Sequence, residues 1–233
     1  MCHRTRQILK YEEQGMEFEQ FFPFWGQLTA GQQERFRQSM KKRTVKKGTV
    51  ISHGSRDCTG LILVDEGRLR AYISSEEGKE ITVFRLLDMD ICLFSASCII
   101  RSLQFDIIIE AETDTSLWII PPMTYKSLME ESAPVANFTN ELMASRLSDV
   151  MWLVEQIMWK SLDKRVAAFL LEEAALEDSD TIQMTHEMIA NHLGTHREVI
   201  TRMLRYFQSE QIVRLSRGAV RLMDRKRLEE IAG

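Results

Sequence analysis

The segment from Thr185 to Phe207, THEMIANHLGTHREVITRMLRYF, restricts the fold of this chain more than any other part of it. Its apolar residues recur at helical spacing on both sides of Gly194, so each half predicts a short helix with one buried face. Ala190, in the middle of the first helix, is small enough to let a second helix approach. Gly194 can adopt the positive φ that a tight turn between two helices needs. Together these features predict a helix-turn-helix.

The face of the second helix that this spacing leaves exposed is rich in arginine. It carries Arg197, Glu198, Thr201, Arg202 and Arg205. Arginine can bind guanine through two acceptors, and glutamate can accept from the amino group of cytosine. We therefore expect Arg197, Glu198 and Arg202 to read base edges, with an ordinary charged helical hairpin as the alternative. A capping role competes for Glu198, because Thr195 and Glu198 form a T-x-x-E pattern.

Positive charge is concentrated near the end of the chain. The formal net charge of the 233 residues is −4, yet between Asn191 and Arg227 nine Lys and Arg oppose three Asp and Glu, a local balance of 9 − 3 = +6. Such a region can neutralise several DNA phosphates, and its binding should weaken steeply with salt. The residues expected to contact phosphates are Thr185, His196, Thr201, Arg205 and Arg217.

The stretch from Lys46 to Ile120 has the pattern of a β domain. Short β-prone runs alternate with glycine-containing turns at near-regular spacing, which predicts a barrel or jelly roll. The predicted strands are residues 49–52, 61–66, 68–74, 79–87, 105–112 and 115–121. Helices before and after these strands make the chain an α+β protein.

A long helix is predicted from Pro134 to about Lys160. Its apolar positions are spaced 4, 3, 4 and 3 residues apart, which is the seam of a coiled coil. These positions are Met143, Leu147, Val150, Val154 and Ile157. The seam predicts a homodimer, and burial of the same helix within a monomer is the alternative.

The last part of the chain predicts a small β-hairpin, or wing. Two β-prone runs, 212–215 and 219–223, flank the turn Ser216-Arg217-Gly218, and residues 225–232 predict a short closing helix. Arg214, Arg217 and Arg221 would then be available for phosphates.

The order of β-barrel, long helix and winged helix-turn-helix resembles the Crp/Fnr family of bacterial transcription regulators over essentially the whole chain. Arg197, Glu198 and Arg202 fall on the family's base-reading arginine, glutamate and arginine, and FQSEQIVRLSRGAVRLMDRKRLEEIAG resembles its wing and final helix. The resemblance implies a cyclic-nucleotide-binding-like, double-stranded β-helix sensor domain over 1–132, a dimerisation helix over 133–160 and a DNA-binding domain over 161–233. It also implies a dimer on an inverted-repeat operator, control by a signal at the barrel, and contact with RNA polymerase.

The barrel departs from the cyclic-nucleotide cradle of that family. The segment LLDMDICLFSASCIIRSLQFD lacks the family's Gly-Glu pair, so a cyclic nucleotide is not expected. The residues that could still form an effector site are Glu80, Arg85, Cys92, Cys98, Arg101 and Ser102. Cys92 and Cys98 could form a redox-sensitive disulfide, or they could be two buried thiols that pack as small apolar side chains. Only Cys2 lies near the N-terminus, so an iron–sulfur cluster is not expected either.

Sequence motifs for other functions are missing. There is no GxSxG, HExxH or GxxxxGK[ST] pattern, so we do not expect an enzyme. His186, His192 and His196 are close in sequence but are predicted to lie on different short helices, facing solvent or phosphate, so no metal site is expected. No apolar run of about 18 residues and no signal core occur, which predicts a cytoplasmic protein. The alternative to a DNA-binding regulator is a ligand-binding or scaffolding module whose winged helix contacts protein.

Overall fold

A computed structural model of the chain describes residues 18–54, 58–99 and 106–233, without the side chains of 97–99. The chain forms two compact units. One is built from the chain up to Ala71 together with Arg85–Ser145, and the other from Tyr72–Phe84 together with Arg146–Gly233.

The N-terminal half is mainly antiparallel sheet. A capped helix, α1 (Ala30–Ser39), precedes the strands. The described strands of this half are β1 (Lys41–Val45), β2 (Val50–His53), β3 (Leu61–Glu66), β4 (Leu69–Ser74), β5 (Glu80–Leu86), β6 (Ile91–Cys92), β7 (Ile108–Ala111) and β8 (Thr115–Ile120). They form two four-stranded sheets, ordered β1-β8-β3-β6 and β2-β7-β4-β5. All six predicted strands are present, and β1 and β6 are additional.

An aromatic cluster fills the core beneath the first of these sheets. Phe22 lies 5.1 Å from Phe36, between ring centroids, and both rings are almost fully buried together with Tyr125. Thr29 accepts from the backbone N–H of Gln32 while its own N–H donates to the Gln32 side chain, so a capping box forms at α1. The capped helix thereby holds Phe36 in the cluster.

Two helices follow the strands. They are α2 (Pro122–Glu131) and the 27-residue α3 (Ala133–Trp159), which is about 40 Å long at 1.5 Å per residue. The bounds of α3 agree with the predicted long helix to within one residue at each end. Among the described residues, no helix combines the length and the apolar character needed to cross a membrane.

The C-terminal part forms the predicted winged helix-turn-helix. Its elements are α4 (Leu162–Leu176), β9 (Thr181–Ile182), α5 (His186–Leu193), α6 (Arg197–Ser209), β10 (Val213–Ser216), β11 (Ala219–Leu222) and α7 (Arg225–Ala232). The strands form one antiparallel sheet in the order β10-β11-β9. The core between helices and sheet includes Ala190, Ile200, Leu204, Phe207 and Val220, all at most 2% exposed. Because α6 contributes three of these residues, its opposite face is left for other contacts.

Candidate nucleic-acid interface

The turn between α5 and α6 is shaped by Gly194. Its φ of 65° and ψ of 38° place it in the left-handed region, where glycine has no side-chain penalty, as predicted. Thr195 N–H donates to Ala190 O at 3.0 Å, which closes the end of α5. Arg165 from α4 donates through Nη2 to Leu193 O at 2.6 Å and satisfies a second carbonyl there. Burial lowers the pKa of Arg165 from its ordinary value, but a guanidinium stays charged at neutral pH.

One face of α6 collects the side chains that were expected to contact DNA. At 100° per residue, positions 197, 198, 201, 202 and 205 span an arc of about 140°. They line a shallow concave surface of about 470 Å³. The sequence prediction therefore holds for the placement of these five residues on one helix face.

The charged side chains of this surface are not used inside the protein. Arg197, Glu198, Arg202 and Arg205 are all exposed. Within the part of the chain that the structure describes, no ion pair joins any of them to another residue. Three unpaired guanidinium groups on one helix face attract an anionic surface, because their charges repel one another until a counter-charge arrives.

The start of α6 differs from the predicted capping arrangement. The N-cap is His196, with extended backbone and no side-chain capping bond, so Glu198 is the second helical residue and not the third. The predicted Thr195–Glu198 capping box is therefore wrong, since a capping box joins the N-cap to the third residue. As a result the carboxylate of Glu198 is left available for a base.

Thr185 and Thr201 differ in what their hydroxyl groups already do. Thr185 is exposed and caps α5 by accepting from the Met188 N–H at 3.2 Å, which leaves its own hydrogen available to a phosphate. Thr201 donates to Arg197 O and contacts His186 Nδ1, both at 2.9 Å. A phosphate would have to replace one of those bonds, so Thr201 is the weaker candidate.

The wing presents further arginines. β10 and β11 pair antiparallel around a tight turn at Gly218, whose φ is 73°. Arg217 lies at the exposed tip. Arg214 and Arg221 are directly opposite each other in the strand register, and both are exposed. Like charges at such a position are destabilising unless an anion lies between them.

The three histidines near the turn have separate environments. His192 was predicted to face solvent or phosphate, but the structure shows that it is buried. It is 8% exposed, its ring lies 5.2 Å from the Phe169 ring, and its Nδ1 lies 2.8 Å from Thr82 Oγ1. His186 is half-buried, and burial, followed by the charges of Arg197 and Arg205, lowers its pKa below the ordinary value. His196 is exposed. The described residues contain no group of three His, Cys, Asp or Glu side chains that could hold a metal ion.

Helix α3 has an exposed apolar stripe along its second half. Leu147 is 62% exposed, and Val154 and Ile157 are also open to solvent. Met151, Trp152, Met158 and Trp159 extend the stripe. Met143, which was also predicted for the seam, is half-buried and packs against the aromatic core. An apolar surface of this extent usually marks an interaction site.

Comparison with known proteins agrees with this geometry. Residues 164–231 match the Crp-like helix-turn-helix domain. A crystal structure of a Crp/Fnr-family transcriptional regulator from Eubacterium rectale is 62% identical, covers 92% of this chain and 99% of its own, and superposes with a TM-score of 0.90. The chain belongs to the Crp/Fnr family.

More distant Crp/Fnr relatives are similar over most of their length. The cyclic AMP receptor protein of Thermus thermophilus is 27% identical over 82% of this chain and 88% of its own. The fumarate and nitrate reduction regulatory protein of Yersinia pestis is 24% identical over 83% of this chain and 79% of its own. This Crp/Fnr chain is thus a transcription regulator whose helix-turn-helix is a DNA-binding element.

Three of the candidate effector residues of this Crp/Fnr protein, Glu80, Arg85 and Cys92, lie in the described strands β5 and β6. Arg85 Nε lies 2.9 Å from Glu112 Oε2, which Arg68 Nε also approaches at 2.9 Å. Glu80 is half-buried at the start of β5. Arg101, Ser102 and the side chain of Cys98 lie outside the described residues.

Of the two alternatives for Cys92, the structure fits a buried thiol that packs as a small apolar side chain. Cys92 lies in β6, is fully buried and forms no disulfide in this structure. Cys58 is disulfide-bonded.

Sequence reasoning missed two contributors to the site. Arg165 lies on α4, where nothing in its neighbours indicates that it clamps the end of α5. Thr82 is 110 residues away from its partner His192. A pattern of local spacing carries no signal for contacts of this kind.

Proposed function

We propose that this protein is a homodimeric, sequence-specific DNA-binding regulator that responds to a signal at its N-terminal sheets. The observation that carries the proposal is the exposed face of α6, with three arginines and one glutamate that lack ion-pair partners in the described structure. That composition suits base edges in the major groove, where arginine recognises guanine and glutamate recognises cytosine.

Arg197, Glu198 and Arg202 are the proposed base readers. They occupy the first, second and sixth positions of α6, so they cluster toward the end of the helix that enters the groove in this motif. Their exposure and the absence of a capping role for Glu198 support the assignment.

Contacts to the DNA backbone are proposed for residues around this cluster. His196 precedes α6, whose N-terminal end attracts anions through its unpaired N–H groups. Thr185 lies at the start of α5, Arg205 lies on α6, and Arg217 lies at the tip of the wing. Thr201 joins them only if it exchanges one of its present hydrogen bonds.

Dimerisation is proposed through the exposed stripe of α3, in which Leu147, Val154 and Ile157 follow the heptad spacing. A two-fold axis along this helix would present two copies of α6 to successive major grooves, roughly 34 Å apart. The signal would then act by favouring the conformation in which that spacing is correct. Contact with RNA polymerase next to the bound site is proposed from family membership.

Selection from a pool of random duplexes tests the proposal. The purified protein is incubated with the pool at several salt concentrations, and bound duplexes are recovered, amplified and sequenced. We expect enrichment of an inverted repeat whose half-sites are about one helical turn apart. An Arg197→Ala/Arg202→Ala variant, which keeps the fold but lacks two base readers, is the control and should enrich nothing.

The pattern of enrichment separates the parts of the proposal. A single unrepeated site would contradict the dimer, while a repeat enriched equally by the control variant would contradict base reading by these arginines. No enrichment at any salt concentration would contradict DNA recognition and favour a winged helix that contacts protein.

A further inference from the structure

The hairpin that joins β4 to β5 has an acidic tip. Residues 74–80 read SSEEGKE, with three carboxylates against one lysine. The turn is closed by bonds from Ser75 N–H to Lys79 O at 2.8 Å and from Gly78 N–H to Ser75 O at 2.9 Å. Gly78 has a φ of 76°, as this turn requires. The tip is therefore a defined structure that carries negative charge.

The same hairpin contacts the turn of the helix-turn-helix, with which it shares a compact unit. Ile81 forms an antiparallel backbone bridge with Leu193, and Thr82 Oγ1 lies 2.8 Å from His192 Nδ1. The Ile81 side chain occupies the space beside Gly194, where an added Cβ would lie 2.8 Å from Ile81 Cδ1. Three consecutive residues of the turn region are thus held by two consecutive residues of the hairpin.

These contacts place the acidic tip beside the DNA-reading end of α6. Glu76 and Glu77 are exposed, and the pKa of Glu77 is lowered first by Lys79 and more weakly by the charge of His196. Glu77 also forms an ion pair with Lys79 at 2.7 Å. A DNA phosphate is proposed to bind at His196 and the N-terminal end of α6. The carboxylates of the tip lie near that position, so they would repel the phosphate.

We infer that the hairpin of residues 72–84 is an inhibitory latch, which holds the turn through Ile81 and Thr82 and places carboxylates where a DNA phosphate would bind. This inference rests on the proposed function. DNA can then bind either after the hairpin is released, or with an affinity that is reduced by repulsion between the tip carboxylates and a phosphate. A signal that loosens the hairpin would raise DNA affinity by the free energy that the latch contributes to the closed state.

Two hairpin variants and two matched controls test the latch. Thr82→Val removes the hydroxyl and keeps the side-chain shape, and its control is Thr49→Val, at a half-buried threonine outside the hairpin. Glu76→Gln/Glu77→Gln neutralises the tip, and its control is Glu66→Gln/Glu229→Gln, at two exposed carboxylates elsewhere. Thermal melting confirms that each variant is folded.

Two readouts are used. Amide hydrogen exchange without DNA should show protection at 81–82 and 193–194 in the parent protein, and several-fold faster exchange in Thr82→Val. Anisotropy titration of a labelled duplex of random sequence, at low salt, should show binding that is about two- to tenfold tighter for Thr82→Val, the range expected for one hydrogen bond. The tip variant should also bind more tightly than its charge-matched control, by a factor that shrinks as salt is added.

The outcomes distinguish the latch from the function on which it rests. If the parent protein binds DNA but both hairpin variants bind no more tightly than their controls, the latch is wrong and the proposed function stands. Unprotected amides at 81–82 in the parent protein would also overturn the latch. If no variant binds any duplex, even at the lowest salt, the proposed function fails and the latch fails with it.

Discussion

Individual side chains in this protein are divided between those that build the turn and those that are left for a ligand. Gly194 and Arg165 satisfy the end of α5, so that α6 begins at a fixed position. Arg197, Glu198 and Arg202 make no such structural contribution. Because they support nothing in the fold, their replacement should change DNA recognition with little change in stability.

Arg202→Ala tests that separation. We expect it to weaken binding to the selected duplex by about 1–3 kcal/mol and to relax the preference at one base pair of each half-site. Fluorescence titration against a panel of single-base operator variants measures both effects. Arg225→Ala, at an exposed arginine that pairs with Asp180, is the control and should leave the preference unchanged. A uniform loss across the whole panel would withdraw the base-reading role from Arg202.

Gly194→Ala tests the turn. An alanine at a φ of 65° costs about 1–2 kcal/mol, and its Cβ would also meet the Ile81 side chain. We expect a lower free energy of unfolding, measured by urea denaturation. Gly31→Ala is the control, because Gly31 lies in α1 with open space around it, and it should be neutral or stabilising. An unchanged stability for Gly194→Ala would show that the positive φ is not needed.

At the scale of whole elements, the wing shows how the pairing of two strands places two arginines opposite each other. Arg214 on β10 and Arg221 on β11 are both exposed, and the strand register places them directly opposite each other. This arrangement is unfavourable for an isolated hairpin. A phosphate backbone beside the wing, as proposed, would offset this repulsion.

Arg221→Gln should therefore have opposite effects on stability and on binding. Removal of one like charge should raise the free energy of unfolding by about 0.2–1 kcal/mol. The same change should weaken binding to all duplexes alike and reduce the slope of log K against log salt by about 0.9 if one phosphate contact is lost. Denaturation and salt-dependent titration measure the two quantities. A fall in stability together with an unchanged salt slope would contradict this account of the wing.

Elements also differ in how well local patterns predict them. Strands with alternating or continuous apolar residues, such as β3, were predicted to the residue. Strand β1, KKRTV, was missed because four of its five side chains are exposed and three are basic, so it joins the sheet through its backbone pairing with β8. Two-residue strands such as β6 and β9 are too short to show any period.

At the scale of the whole molecule, the apolar stripe of α3 is the main feature that a single copy of the chain does not explain. Leu147 and Trp159, at 62% and 77% exposed, would be costly to leave in water along with their neighbours. If a second copy of the chain packed on this stripe, the same residues would be buried on both subunits, as a two-fold interface requires.

Leu147→Glu tests the proposed dimer. A carboxylate desolvated at the seam should cost about 3 kcal/mol or more, which raises the dissociation constant of the dimer at least roughly a hundredfold. Sedimentation velocity over a range of concentrations measures the change. Met123→Glu, at an exposed apolar side chain of α2 and outside the stripe, is the control and should leave the association unaltered. A monomeric parent protein, or a Leu147→Glu variant that associates as the parent does, would refute the interface.

The amino-acid sequence by itself determined the helix-turn-helix, the wing, the long helix and the arginine face of α6. Each of these depends on residues within one or two turns of each other, so the period of burial and the backbone freedom of glycine suffice to predict them. Only the tertiary structure decided that His192 is buried against Phe169, that the Thr201 hydroxyl is already bonded, that Cys92 is buried and that the hairpin contacts the turn. Those outcomes depend on which distant segments meet, as Thr82 and His192 do, and that meeting is set by packing of the whole core and not by any local pattern.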